Sequence, residues 1–147
     1  MSGSTRFAIA LPIMVALLSG HLPASQSPTD EQAVRGVLED YVVGWREGDV
    51  EKLANVFAPN GMVKWPSGSG PDAVLNTMTF EQVLARGRRP QPEYGKEWRV
   101  ESLDVLDEGL AVARVYISRA GGHYIDYLTL YRIGDRWHIV SKTYVTR

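Results

Sequence analysis

Asp126 is the side chain in this sequence with the best position for chemistry. It alternates with Leu128 and Leu130, and this spacing places all three on one face of a β-strand. Because burial disfavours the charged form of a carboxylate, an aspartate at the open end of an apolar face is suited to abstract a proton next to a carbonyl. The structural alternative is that Asp126 accepts hydrogen bonds from Thr143 or pairs with a cation such as Arg99.

Other residue types that support catalysis or metal binding are few. The chain has no cysteine and three histidines, so disulfides and thiol chemistry are excluded. His123 and His138 lie too far apart for a compact metal motif. His123 would have to reach over from a turn to assist Asp126, and a solvated turn histidine is the alternative. Hydrolase and nucleotide-binding motifs do not occur, so we expect no metal site and no cofactor.

Several aromatic side chains could bind a flat ligand. Tyr41, Trp45, Trp65 and Trp137 would suit the walls of a pocket, although aromatic residues on such elements also serve as core. Trp65 directly precedes a Gly- and Ser-rich segment, where its ring could close over a bound molecule. The predicted ligand-binding residues are Tyr41, Trp65, Arg99, Asp126, Ser141 and Thr143.

Length and composition limit the possible partners. A chain of 147 residues with 44% hydrophobic and 22% charged residues fits one globular domain. The formal net charge of -1 lacks the basic excess of a nucleic-acid-binding protein. We therefore expect that the chain does not bind nucleic acid.

The N-terminal segment resembles an export signal. The residues from Phe7 to Leu18 form an apolar run after Arg6, too short to cross the roughly 30 Å hydrocarbon core of a membrane. We predict a signal peptide at residues 1–24, a linker at 25–28 and one domain at 29–147. The mature protein would then be periplasmic or secreted, without a stable membrane span. An uncleaved interfacial anchor is the alternative.

The next part of the chain predicts helices. Thr29 and Gln32 have capping-box spacing, and a helical apolar stripe follows up to Trp45. Gly48 ends this helix, and Asp49 begins a second one that includes Phe57 and ends before Pro59. The stripe of the first helix consists of Val34, Val37, Leu38, Tyr41, Val42 and Trp45.

The middle of the chain predicts a strand, a loop and a third helix. Residues 61–65 form a short strand candidate, and residues 66–71 predict a mobile loop, for which a role as a lid is one hypothesis. Thr79 and Gln82 repeat the capping-box spacing before a helix to about Arg86. The cations Arg86, Arg88 and Arg89 at its end suit the helix dipole; an anion-binding patch is the alternative.

From Trp98 onward the pattern predicts a meander of four antiparallel strands. Turn signals at 107–109, 121–122 and 134–135 separate segments of about ten residues. Two-residue turns at the last two positions set the register, because opposed residues point to the same face. The predicted pairs are Ala113 with Leu130, Val115 with Leu128, Ile117 with Asp126, Leu130 with Ile139, Leu128 with Ser141 and Asp126 with Thr143.

This register divides the sheet into two faces. The inner face also receives Trp137, Leu103 and Val105, with Arg99 and Glu101 at its far end. The outer face is too apolar for water, and we expect a second copy of the chain to cover it, giving a homodimer. The predicted outer residues are Val112, Arg114, Tyr116, Ile125, Tyr127, Thr129, Tyr131, His138, Val140, Lys142 and Tyr144.

The order of these elements resembles a known superfamily. A long helix ending in Trp45, then Gly48-Asp49, Leu53 and Phe57, and a late meander are similar to the nuclear transport factor 2-like proteins, which include the SnoaL-like proteins. The closing segment 126–142, with its Asp-Tyr-Leu-Thr-Leu and Gly-Asp-Arg-Trp-His-Ile-Val runs, resembles the putative lumazine-binding branch most.

The resemblance implies an α+β fold in which a cone-shaped, curved antiparallel sheet wraps around N-terminal helices and encloses a pocket. It also implies frequent dimers and functional breadth, since relatives include isomerases, dehydratases and non-catalytic binding domains. Our first hypothesis is an exported, non-catalytic protein that binds a small organic molecule. The alternatives are a cofactor-free isomerase or dehydratase with Asp126 as general base, and a dimerisation or scaffold domain.

Overall fold

Residues 29–147, which the computed structural model describes, begin with helices and end in a large sheet. The predicted signal peptide at 1–24 and the linker at 25–28 lie outside the described residues. A single turn of 3₁₀ helix, Gly70–Asp72, connects the first and second strands. The elements are α1 (Asp30–Glu47), α2 (Val50–Val56), β1 (Phe57–Ser67), β2 (Val74–Thr79), α3 (Phe80–Arg86), β3 (Trp98–Leu106), β4 (Leu110–Arg119), β5 (Gly122–Ile133) and β6 (Arg136–Thr146).

The helix boundaries follow from their caps. Both predicted capping boxes are confirmed, at Thr29 for α1 and at Thr79 for α3. Gly48 ends α1 in the left-handed conformation at φ 70°, which glycine adopts without steric cost. The prediction that Phe57 belongs to the second helix is wrong. Phe57 is extended and begins β1.

The strands form one open, curved sheet in the order β2-β1-β6-β5-β4-β3. All neighbours are antiparallel except β1 and β6, which run parallel. The four-strand meander and the predicted α+β fold class are confirmed. The sequence did not predict β2. The expected mobile loop at 66–71 is shorter than predicted, because Pro66 and Ser67 remain in β1 and pair with β2.

The register of the β4–β5 hairpin differs from the prediction by two residues. Arg119 pairs with Gly122, so the turn lies at 120–121 instead of 121–122. Ala113 therefore faces Leu128 and Val115 faces Asp126. A shift of two residues preserves the faces of the strand, and the predicted inner residues of both strands remain inside.

A β-bulge in β6 has a larger effect, because it moves side chains to the other face. Leu130 pairs with Ile139 as predicted, but the next pair is Thr129 with Ser141. The extra residue, Val140, shifts every later position by one. The predicted pairs of Leu128 with Ser141 and of Asp126 with Thr143 are therefore wrong. Lys142 and Tyr144, predicted outside, lie on the inner face.

A second bulge, between Val100 and Ser102 of β3, changes the face of Arg99. Arg99 pairs with Tyr116 on the outer face, and Glu101 forms ion pairs with Arg99 and Arg114 there. The predicted inner positions of Arg99 and Glu101 are therefore both wrong. Leu103 and Val105 lie beyond the bulge and pack against the core as predicted. The bulge thus reverses only the end of β3 that precedes it.

The core lies between the inner face and the helices. Side chains of α1, including Leu38 and Val42, are fully buried with Leu128 and Leu130 of β5. The outer face remains partly exposed in the single chain, for example at Tyr127 and at Tyr131. Within the described part of the chain, no helix has both the length and the hydrophobicity needed to cross a membrane.

Candidate functional site

A cavity of about 130 Å³ opens where the helices meet the end of the sheet formed by β1, β5 and β6. Helices α1 and α3 contribute to its wall, together with the segment between α3 and β3. The lining residues are Trp45, Phe57, Val63, Trp65, Met78, Val83, Arg86, Gln91, Tyr94, Tyr124, Lys142 and Tyr144.

Tyr94 reaches the cavity from a segment without regular secondary structure, where backbone contacts hold it in place. Its N–H donates to the carbonyl of Gln91 at 2.8 Å, and the N–H of Gly95 donates to Ser118 at 2.8 Å. Gly95 has φ 64°, and a Cβ there would lie 2.2 Å from a methyl group of Val42. Glycine is therefore required at position 95, and it positions the neighbouring tyrosine.

Beneath the cavity lies a buried cluster of four polar side chains, which we call the polar tetrad: Tyr41, Tyr94, Asp126 and Lys142. Lys142 Nζ lies 2.9 Å from Asp126 Oδ2 and also donates to the hydroxyl of Tyr41. The Tyr41 hydroxyl donates to Asp126 Oδ2 at 2.7 Å and accepts from the Tyr94 hydroxyl at 3.0 Å. Asp126 is 0% exposed and Lys142 8%.

The hydrogen bonds of the tetrad leave particular atoms without partners. The Tyr41 hydroxyl has one donor and two acceptor sites, and all are used. An ammonium has three donors, and Lys142 directs them at two partners within the described chain, so at least one N–H remains. Asp126 Oδ1 is buried and has no partner there either.

The two tyrosines of the tetrad are held in their neutral form. Burial raises the pKa of Tyr41 well above its usual value of 10.0, and the nearby Asp126 carboxylate adds to this effect. Burial, followed by Asp126, also raises the pKa of Tyr94 well above 10.0. Ionised phenols would be unfavourable next to a carboxylate in this dry environment, so both hydroxyls keep their protons.

A chain of aromatic rings forms the wall above the tetrad. Trp65 stacks on Tyr144 with ring centroids 5.9 Å apart, and Tyr144 meets Tyr124 edge to face at 5.5 Å. Tyr124 continues the chain to Tyr94 at 5.8 Å, and Tyr94 to Trp45 at 6.2 Å. Such rings offer flat apolar surfaces to a planar molecule.

The ammonium of Lys142 is enclosed by these rings. It lies 4.6 Å from the ring centroid of Tyr144, 5.2 Å from Tyr41 and 5.6 Å from Tyr124. Cations are attracted to aromatic faces at such distances, and more strongly where water is excluded. The rings and Asp126 together stabilise a charge that burial alone would make unfavourable.

Arg86 is the second charged residue of the cavity wall. It lies in the last turn of α3 and is exposed. Burial raises the pKa of Tyr144, and Arg86 acts in the opposite direction on the same hydroxyl, which places the guanidinium within electrostatic reach of this part of the wall. Within the described chain, Arg86 forms no ion pair with a carboxylate.

The structure brings together only some of the residues predicted from the sequence. Trp65 lines the cavity, and Tyr41 and Asp126 lie beneath it. Ser141 and Thr143 point away from it because of the bulge in β6. Arg99 lies on the outer face, with its guanidinium 3.9 Å above the Tyr116 ring and 2.7 Å from Glu101.

Four important residues were missed. Lys142 and Tyr144 were assigned to the wrong face, and a bulge has no clear signal in a single sequence. Tyr124 lies two residues before Asp126, so the same alternation could have placed it inside. Tyr94, between Pro92 and Gly95, falls in a segment without periodicity.

The geometry decides which group can reach a ligand. Asp126 is not part of the cavity wall, and its Oδ2 is engaged by Tyr41 and Lys142. The sequence-based alternative that Asp126 pairs with a cation describes this arrangement, but the partner is Lys142 instead of Arg99. Among residues 29–147, no group of three metal-ligating side chains could hold a metal ion. A molecule in the cavity would meet aromatic rings and cationic donors.

Comparisons with known proteins identify both a family and a fold. Residues 29–145 match the model of a family described as putative lumazine-binding. No functionally curated protein matches the chain. Several solved structures do, at identities that demonstrate the fold alone.

Three of these structures are NTF2-like proteins of unknown function. The one from Silicibacter pomeroyi DSS-3 has 24% identity and a TM-score of 0.63, and the match covers 78% of this chain and 93% of that one. The one from Shewanella baltica OS155 has 21% identity and a TM-score of 0.67, covering 80% and 93%. A third, from Methylobacillus flagellatus KT, has 18% identity and a TM-score of 0.67, covering 84% and 96%.

Proposed function

The chain belongs to the putative lumazine-binding family, and we propose that it is an exported protein that binds a small, flat organic molecule in the cavity without transforming it. The observation that carries this proposal is the chain of rings from Trp65 through Tyr144 and Tyr124 to Tyr94. It surrounds a cavity that ends on buried polar groups, as ligand pockets commonly do. Lumazine, the compound in the family's description, is itself flat and heterocyclic.

The contacts of Asp126 support binding over catalysis. A general base must reach the proton that it abstracts, either directly or through one water molecule. Asp126 is 0% exposed, and Lys142 lies between its carboxylate and the cavity. Proton abstraction by Asp126 would require this ion pair to open in a dry environment, which is unfavourable. The isomerase or dehydratase hypothesis therefore has less support.

Thermal unfolding with a set of small planar compounds tests the binding proposal. A ligand at a hundred times its dissociation constant stabilises the folded state by roughly 2.7 kcal/mol, which raises the melting temperature by roughly 10 °C for a domain of this size. The informative variant is Val83→Phe, because Val83 lines the cavity and is 6% exposed. A phenyl ring there would occupy the ligand's space.

The matched control is Val74→Phe, which makes the same change in β2 outside the cavity wall, where Val74 is 59% exposed. We expect ligands to stabilise the unmodified chain and the Val74 variant, and to leave the Val83 variant unchanged. Equal stabilisation of both variants would place binding elsewhere. If no compound stabilises the chain, the scaffold alternative is favoured. Turnover of a bound compound, lost in Asp126→Asn while binding persists, would favour the enzyme alternative.

We also propose a homodimer formed through the outer face of the sheet. Val112, Tyr127 and Tyr131 are 42%, 50% and 47% exposed there, more apolar surface than a solvated sheet face usually carries. Arg114 and Glu101, 3.2 Å apart, add charges of both signs, and a two-fold interface needs such a self-complementary surface. Light scattering coupled to a sizing column should give twice the chain mass. A monomer at all concentrations would overturn this proposal.

Export is supported by the apolar run from Phe7 to Leu18 behind Arg6. We expect the protein recovered from a periplasmic or secreted fraction to begin near Ser25, as measured by intact mass. A full-length chain that stays in the cytosol would contradict the proposal.

A further inference from the structure

We propose that the ligand is an organic anion, namely an aromatic carboxylate with one ring, whose carboxylate is bound by Lys142 and Arg86. This inference rests on the proposed function, because it assigns a chemical class to the molecule that the cavity binds. The family description names a compound but no charge. The charge follows from the side chains of the wall.

The first argument is the balance of charge around the cavity. Among the described residues, its wall contains two cations, Lys142 and Arg86, and no aspartate or glutamate. Asp126 lies beneath the wall and compensates only Lys142. Arg86 has no carboxylate partner in the described chain. The site as a whole therefore carries an excess positive charge that an anionic ligand would neutralise.

The second argument is the unused hydrogen-bonding capacity. Lys142 is 8% exposed and retains at least one N–H after its contacts with Tyr41 and Asp126. Trp45 also lines the cavity, and its buried indole nitrogen has no partner in the described chain. Buried donors rarely stay unpaired, and a carboxylate offers two oxygens that only accept. A neutral apolar molecule would leave these donors unsatisfied.

The third argument is size. The cavity measures about 130 Å³, slightly less than the roughly 150 Å³ of an apolar cavity that binds benzene. One aromatic ring is therefore the largest ring system that matches this space, and a fused second ring would have to extend beyond it or displace the wall. The aromatic chain from Trp65 to Tyr94 provides the flat surfaces for such a ring.

The test uses benzoate and benzamide, which share ring and shape but differ in charge. Their affinities for the full chain can be measured by the fluorescence of the cavity tryptophans. Arg86→Gln removes one cation from the wall at an exposed position, where substitutions usually change stability little. Arg88→Gln is the matched control, since it removes an arginine two residues further on that is not part of the wall.

We expect benzoate to bind about tenfold more tightly than benzamide, as a charge-assisted contact allows. In the Arg86 variant this preference should fall several-fold through weaker benzoate binding alone, and in the Arg88 variant it should persist. Added salt should weaken benzoate and not benzamide. Equal affinities, or an unchanged preference in the Arg86 variant, would overturn the anion inference. If benzoate and benzamide do not bind but neutral planar compounds stabilise the chain, the anion inference is wrong and the proposed binding function remains. If nothing binds, the proposed function fails with it.

Discussion

Lys142→Met removes the ammonium from the polar tetrad and keeps a side chain of similar length. The carboxylate of Asp126, which is 0% exposed, then loses the cation 2.9 Å away and keeps only the hydroxyl of Tyr41. Its other oxygen already has no partner in the described chain. Breaking a buried ion pair in this way costs about 3–5 kcal/mol, a large part of the 5–15 kcal/mol that is typical of folded domains.

The double variant Asp126→Asn with Lys142→Met shows how much of the lost stability comes from the interaction between the two charged groups. Both charges are then absent, and replacing a buried pair by neutral groups is often close to neutral in stability. We expect the double variant to recover most of the stability lost in the single variant, with a coupling energy of about 2 kcal/mol or more. Urea unfolding followed by tryptophan fluorescence measures the free energy of unfolding of the unmodified chain, each single variant and the double variant, provided that their m values agree.

Lys96→Met is the control, because it removes the same chemistry at the surface. Lys96 and Glu93 form an ion pair at 2.6 Å with side chains 58% and 54% exposed, and such a pair contributes at most about 1 kcal/mol. A Lys142 variant that loses no more stability than the Lys96 variant would refute the buried tetrad. The same conclusion would follow if the two substitutions in the tetrad were simply additive.

Three further substitutions or conditions have expected outcomes. Gly61→Ala should destabilise the fold by about 1–3 kcal/mol, because the added Cβ would lie 2.0 Å from the buried ring of Phe80. Gly36→Ala, inside α1 with nothing within 4 Å of the new methyl group, should stabilise by about 0.5–1 kcal/mol; urea unfolding measures both. Burial raises the pKa of Tyr41 and Tyr94 above 10.0 in the folded chain, so the unfolded chain loses these protons at a lower pH. The free energy of unfolding should therefore fall above pH 10, by up to about 1.4 kcal/mol per pH unit for each tyrosine. A Tyr41→Phe variant should show a shallower decline, and an unchanged slope would contradict this account.

The helices and the meander could be predicted because their signals are local. Thr29 and Gln32 are three residues apart, and Gly48 directly follows the last turn of α1. The capping residues and the apolar stripe therefore indicate the same helix boundaries. Phe57 was assigned wrongly because its partner in the sheet, Ile139, lies far away in sequence. Tertiary pairing overrode the local pattern there.

The site was only half predicted, and the reason is the bulge at Val140. Strict alternation from Ile139 places Ser141 and Thr143 inside, and one extra residue exchanges them for Lys142 and Tyr144. The misplaced turn at 121–122 did less harm, because an error of two residues keeps every side chain on its face. A register shift by an odd number of residues moves side chains to the opposite face of the sheet, so it decides which residues of a strand line the site. Such shifts depend on contacts between strands that a single sequence does not show.

The parallel pairing of β1 with β6 determines when during synthesis the cavity can exist. Val63 pairs with Lys142, so this wall forms only after the chain has been made past residue 144. Helix α1 and the β3–β4 hairpin join sequence neighbours and are made before β6, so they can form early, whereas contacts between distant segments form slowly. A chain that has not been made past residue 144 therefore lacks this wall of the cavity. If the proposed ligand binds there, its binding reports that β1 and β6 have paired, a step that depends on segments far apart in the sequence.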